Sequence, residues 1–315
     1  MIKKLTAAVL ALFFLFTLSS CQIPVRSEGF HIVCTTFPVY DWVRNLTSGI
    51  DNIDLTLLLD SSTDIHSYQA SARDITVIGD ADLLIYIGGD SDSWVEEVAE
   101  NEGTEKSALS LMKALGEANL YCLKEEEEEH HSHAHSHHHL HDEHIWLSPK
   151  TAILIQDIIY GELIRKLPDS KDDLTTNLIS YKEKLTELDT LYENTVKNGN
   201  RNTLLFADRF PFLYLTNDYG LKYEAAYTGC SADSEVDAGT FIHLIKKMNE
   251  LSLSVILITE TSDGSIARTV KDNIKDREVT VLQINSLQTA GKDISEISYI
   301  EIMEENAKIL KTALS

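Results

Sequence analysis

SKDDLTTNLISYKEKLTELDTLYENTVKN, residues 170–198, runs without a proline or a glycine and is rich in good helix formers. Its apolar Leu178, Ile179, Tyr181, Leu185, Leu188 and Leu191 recur at spacings of three and four. That pattern predicts an amphipathic helix of about eight turns. The text on either side has a different character, with short apolar runs alternating with helix-like segments. The long helix therefore reads as a stiff connector between two α/β lobes.

Working outward, the N-terminal half offers HIVCTTF (residues 31–37) as a buried strand and VYDWVRNL as the helix after it. LTLLL (55–59) and ADLLIYIGG (81–89) follow as strands, and ALSLMKAL as a helix. The C-terminal half repeats the style, with strands expected at 203–207, 223–227, 253–259 and 279–284. Helices are expected at 210–219, 238–251, 265–275 and 299–314. Such alternation predicts α/β architecture, with two (β/α) lobes and mostly parallel sheets covered on both faces. The lobes are bounded at 30–168 and 201–315, with the connector at 169–200. A ligand then belongs in the cleft between lobes, beyond the C-terminal ends of the strands.

The chain of 315 residues carries a formal charge of -23, which excludes nucleic acid as a partner because phosphate binding needs clustered Lys and Arg. The first twenty residues have a basic start (Lys3, Lys4) and an apolar run, as a secretory signal does. Leu18-Ser19-Ser20-Cys21 resembles the lipobox of bacterial lipoproteins. Lipidation at Cys21 is expected, followed by a polar tether over residues 22–29, leaving an exported, monomeric protein held at the cell membrane by acyl chains. Cys34, Cys122 and Cys230 fit no compact zinc cluster; Cys34 and Cys122 read as core residues, with a disulfide between them left open.

No GxGxxG, phosphate-binding loop, GxSxG or HExxH occurs in a strand-to-helix context. Histidine leads instead. EEEEEHHSHAHSHHHLHDEHIWLSP, residues 125–149, holds nine of the twelve histidines. The run divides into an acidic, histidine-dense loop at 124–143 and an anchored end at His144, where Ile145-Trp146-Leu147-Ser148-Pro149 leads into a helix. The loop composition predicts weak, multiple metal contacts and no fixed fold. Of the other three histidines, His31 begins a strand and His243 lies on a helix. His66 sits in a polar turn just after a strand, where a side chain can enter the cleft.

LLLDSSTDIHSYQASARDI resembles the D-x-H-x-(Y/F)-x-x-S-x-x-D segment of the metal-specific substrate-binding proteins of bacterial ABC importers. DEHIWLSPKTA resembles their (D/N)-x-H-x-W-(L/M)-x-P segment, and TTFPVYDWVRNLT their first strand and helix. The acidic, histidine-rich run before the second motif is similar to that of the zinc-specific (ZnuA/TroA-like) branch. The resemblance implies a non-enzymatic protein that captures zinc between two lobes and delivers it to an ABC permease. It implies His66 and His144 as ligands. At the family's third ligand position stands Ala207, which cannot bind metal, and at the fourth Asn285, a poor ligand. Asp208 and Glu260, each at a strand end of the second lobe, are the expected substitutes. Their alternatives are an ion pair or helix cap for Asp208 and a capping or hinge role for Glu260. Glu235 matches an acidic position that orients structure.

Two imidazoles and two carboxylates suit tetrahedral zinc, with proton competition in acid. Carboxylates in place of histidines move such a site toward manganese, so a manganese- or iron-binding member of the family is the nearest alternative. A zinc-dependent hydrolase, with an open position for water, is the alternative from another class.

Overall fold

The computed structural model describes residues 29–59, 65–118, 142–227, 236–289 and 294–315. The signal and lipobox, most of the tether, Cys122, Cys230, Glu235 and the histidine-rich run through residue 141 lie outside the described residues.

In the first lobe β1 (Phe30–Cys34), β2 (Ile53–Leu57), β3 (Leu83–Tyr86) and β4 (Ala108–Ser110) form a parallel sheet in the order β2-β1-β3-β4. Its helices are α1 (Phe37–Leu46), α2 (Ala72–Gly79), α3 (Ser93–Glu102), α4 (Leu111–Glu117) and α5 (Pro149–Lys166). The connector, α6 (Lys171–Lys197), leads to the second lobe. There β5 (Thr203–Phe206), β6 (Lys222–Ala225), β7 (Val255–Thr259) and β8 (Thr280–Ile284) repeat the arrangement as β6-β5-β7-β8, again parallel. Helices α7 (Leu213–Asp218), α8 (Ala238–Glu250), α9 (Ser265–Asp272) and α10 (Tyr299–Ala313) complete it. In both lobes the chain reverses direction across the sheet between the first and third strands, the place where open α/β sheets gather ligands.

Period-two alternation along the strands explains the layering. Ile32 and Cys34 of β1, Leu83 and Ile85 of β3, Leu204 and Phe206 of β5, and Leu257 of β7 enter one continuous central core shared by both lobes. Val33, Leu84 and Tyr86 face an outer core under α2 and α3, and Leu205, Ala207 and Ile256 face another under α8 and α9. Sheets buried on both faces are what parallel strands require.

The connector is close to its expected extent, 27 residues or about 40 Å at 1.5 Å per residue. It buries Leu174, Leu178, Tyr181, Leu185, Leu188, Tyr192 and Thr195, a stripe stepping by four and three. Ile179 and Leu191, read as part of that stripe, fall one residue to its side and stay 63% and 40% exposed. The segment ALSLMKAL also differs from the helix expected of it. Ala108–Ser110 extends the sheet as β4, and the Ser110 hydroxyl then caps α4 by accepting from the Lys113 N–H.

The lobes are tied together away from the cleft. Asp41, fully buried on α1, takes an ion pair from Arg44 and hydrogen bonds from the Tyr181 hydroxyl on α6 and the Tyr299 N–H opening α10. Arg44 also donates to the carbonyls of Ile294 and Ile297 at 2.8 and 2.7 Å. Among the described residues no helix is long and apolar enough to cross a membrane.

Candidate metal centre

After β2 the chain makes a single 3-10 turn, Ile65–Ser67, that carries His66. What steadies the turn is the downstream part of the same motif. Ser71 caps α2 in a reciprocal capping box with Asp74, and the Tyr68 hydroxyl donates to the same Asp74 carboxylate at 2.5 Å. Burial raises the Asp74 pKa, but the bonds from Ser71 and Tyr68 outweigh it and hold the carboxyl below its usual value.

A second turn, after β3, brings Ser91 beside His66 and Gly89 against Glu143. The Ser91 hydroxyl lies 2.7 Å from His66 Nδ1 and donates to Glu143, whose other carboxylate oxygen accepts the Ser91 N–H at 3.0 Å. Glu143 Oε1 is 3.2 Å from His66 Nδ1. Gly89 is what allows this approach, since a Cβ there falls 2.1 Å from Glu143 Oε2. Burial favours the protonated acid, but the His66 hydrogen bond, the electrostatic influence of the nearby His144 ring and the Ser91 bonds win and hold Glu143 at about 2.

His144 stands at the start of α5's approach. Pro149 opens that helix, and the 3-10 turn Ile145–Leu147 before it is fully buried. Trp146 presents its ring to the His144 imidazole, centroids 5.1 Å apart, and donates its Nε1–H to the Ser286 carbonyl of the second lobe at 2.9 Å. Tyr299 of α10 donates to the Trp146 carbonyl at 2.6 Å. Asp142 Oδ1 accepts the His144 backbone N–H at 2.9 Å and lies 3.2 Å from its Nδ1. Asp142 and Glu143, assigned from sequence to the loop at 124–143, are thus part of the anchored segment with His144. Asp142, Glu143 and His144 are 3%, 7% and 3% exposed, and each has hydrogen-bond partners that offset its burial.

With carboxylates at both Nδ1 positions, both imidazoles turn Nε2 inward, and the two Nε2 atoms lie 3.3 Å apart. Among the described residues, His66, Glu143 and His144 are the group of His, Cys, Asp and Glu whose donor atoms lie within 4.8 Å of one another. From the second lobe Gln288, 5% exposed, brings its side-chain nitrogen to 3.2 Å from His66 Nε2 and 3.0 Å from His144 Nε2.

The other two expected ligands lie outside that group. Asp208 follows β5, where its carboxylate accepts the Thr259 N–H at 2.8 Å and the Thr259 hydroxyl at 2.6 Å, bracing β7. Glu260 follows β7 and holds the next loop, accepting the Ser286 N–H at 2.7 Å and its hydroxyl at 2.8 Å. Burial lifts the Glu260 carboxyl above its ordinary pKa despite those bonds. Ala207 packs into the outer core, as an apolar residue there must. Asn285 shapes the loop: its side chain accepts the Leu287 N–H at 2.7 Å, and Leu287 sits at φ +57°, a left-handed conformation that leucine rarely adopts. That bend precedes Gln288. His31 bonds Thr56 and His243 bonds Glu224, both away from the cleft, as expected of structural histidines.

The sequence alone does not mark Asp142, Glu143 or Gln288 as site residues. The first two were hidden in the compositional run, although the acidic pair directly before a buried motif was a usable signal.

A family model described as zinc-uptake complex component A, periplasmic, matches residues 32–313. The zinc-binding lipoprotein AdcA of Streptococcus pneumoniae (strain ATCC BAA-255 / R6) is 30% identical over 313 residues, 98% of this chain and 60% of that protein. The chain therefore spans less than two thirds of the length of that relative. The high-affinity zinc uptake system protein ZnuA of Bacillus subtilis (strain 168) is 30% identical over 289 residues, covering 92% of this chain and 89% of that protein. Among solved structures, the Zn(II)-bound ZnuA-like domain of S. pneumoniae AdcA superposes with a TM-score of 0.72 at 26% identity, over 91% of this chain and 99% of that one.

Proposed function

The chain belongs to the family of periplasmic zinc-uptake component A proteins, and on that premise we propose that it captures zinc outside the cytoplasm and delivers it to an ABC permease. It acts as a binding protein, not a catalyst, and is held at the membrane by lipid on Cys21.

One observation carries the reading. The two inward imidazole nitrogens are 3.3 Å apart. A tetrahedral ion with Zn–N bonds of about 2.05 Å sets its ligand atoms about 3.3 Å apart. The pair is therefore spaced for zinc before any movement, and the carboxylates behind the rings keep both in the ligating tautomer.

His66 and His144 are the proposed nitrogen ligands. Asp208 and Glu260 remain the proposed oxygen donors from the second lobe, and each must give up hydrogen bonds to Thr259 or Ser286 to serve. The histidine-rich segment before residue 142 is proposed as a zinc-collecting accessory, not the transport site.

Competitive metal titration of the mature chain tests the whole reading. One tight zinc equivalent is expected, absent in His66→Ala and in His144→Ala, and retained when residues 125–141 are deleted. Tight binding that vanishes with the deletion, or a preference for manganese over zinc, overturns it.

A further inference from the structure

The contact of Gln288 with both histidines is not explained by zinc capture alone. Asp142 can only accept, so His144 Nδ1 donates to it and Nε2 carries the lone pair. His66 Nδ1 faces Glu143 and the Ser91 hydroxyl, and because that hydroxyl gives its own proton to Glu143, Nδ1 is the donor here too. Two lone pairs then face one side-chain amide, and the group that satisfies both is its NH2, with two N–H donors for two acceptors. The distances of 3.0 and 3.2 Å fit that pairing.

We propose that Gln288 is a latch that competes with the metal. Its amide donates to the same two nitrogens that would ligate zinc, so metal and bridge exclude one another. The inference rests on His66 and His144 being the metal-binding pair and adds to it the identity of the competitor and the lobe that supplies it. Capture breaks two hydrogen bonds, and release restores them, which lowers the penalty for surrendering the ion. The loop is built for this. Asn285 and the left-handed Leu287 bend the backbone directly before the glutamine, while Glu260 clamps Ser286 on the same turn. Trp146, next but one to His144, holds the Ser286 carbonyl, so the latch and a metal-binding histidine share one frame.

The experiment compares the mature wild-type chain with Gln288→Leu, and with Gln288→Ala in case leucine crowds the site. The readout is zinc affinity by competition with a chelator. Loss of the bridge tightens zinc binding by about tenfold, or about 1.4 kcal/mol, within what two hydrogen bonds contribute. Weaker binding in both variants makes Gln288 a ligand through its carbonyl oxygen and overturns the proposal, as does unchanged binding. A metal-free measurement separates this from the premise: in the nitrogen-labelled protein the Gln288 amide protons should shift on His144→Ala before any zinc is added. If that shift occurs but His144→Ala leaves zinc affinity intact, the bridge is real and the metal assignment is what fails.

Discussion

The two lobes have the same strand order, yet they use the polar residues at their strand ends in opposite ways. In the first lobe the carboxylates of Asp142 and Glu143 stand behind histidines, so their hydrogen bonds turn Nε2 of His66 and His144 into the cleft. In the second lobe Asp208 and Glu260 are spent on their own scaffold, bracing β7 through Thr259 and the following loop through Ser286. One lobe presents donors and the other holds its charged groups inward, sending a neutral amide across the gap. In the structure one lobe thus supplies two oriented imidazoles and the other meets them with a single amide.

The largest effect that sharpens this contrast is expected at the histidines: His144→Ala should lower zinc affinity by more than about 100-fold, above the range of outer-shell substitutions. Equal loss from Asp208→Asn would break the contrast by making the second lobe an equal donor. Next comes Glu143→Gln, expected to weaken zinc about 10- to 100-fold because the His66 ring loses the group that orients it. Gly89→Ala should fall in the same direction, since its Cβ meets Glu143, with calorimetry checking that the fold melts as wild type does. Smaller on affinity, because ligation by either carboxylate is offset by the bonds to Thr259 or Ser286 that it must break, Asp208→Asn and Glu260→Gln should weaken zinc by about tenfold while lowering stability by about 1–3 kcal/mol, as buried hydrogen-bond partners are lost. Denaturant titration measures that second number. Smallest of all should be removal of residues 125–141 with Asp142 and Glu143 kept; extending the same deletion through Glu143 should abolish tight binding.

Much of this was legible along the chain. The parallel strands and the long connector follow from local patterns, period two in one and steps of three and four in the other. His66 and His144 stood out because each sits in a short motif whose other members hold it, Tyr68-Ser71-Asp74 for one and Trp146-Pro149 for the other. Asp142 and Glu143 were less visible, because two acidic residues do not stand out at the end of a run of glutamates and histidines. Asn285 was legible as a departure from a ligand position but not as the residue that shapes the turn before Gln288.

The sequence by itself determined the two lobes, the connector and the two imidazoles, because each is specified by neighbours within one turn or one strand. Only the tertiary structure decided that Glu143 reaches back to Ser91, 52 residues earlier, and that Gln288 closes on His66 and His144 from 222 and 144 residues away. Those contacts depend on how two lobes pack about one helix, and hydrogen bonds acting over 3 Å leave no periodic trace in the chain that makes them.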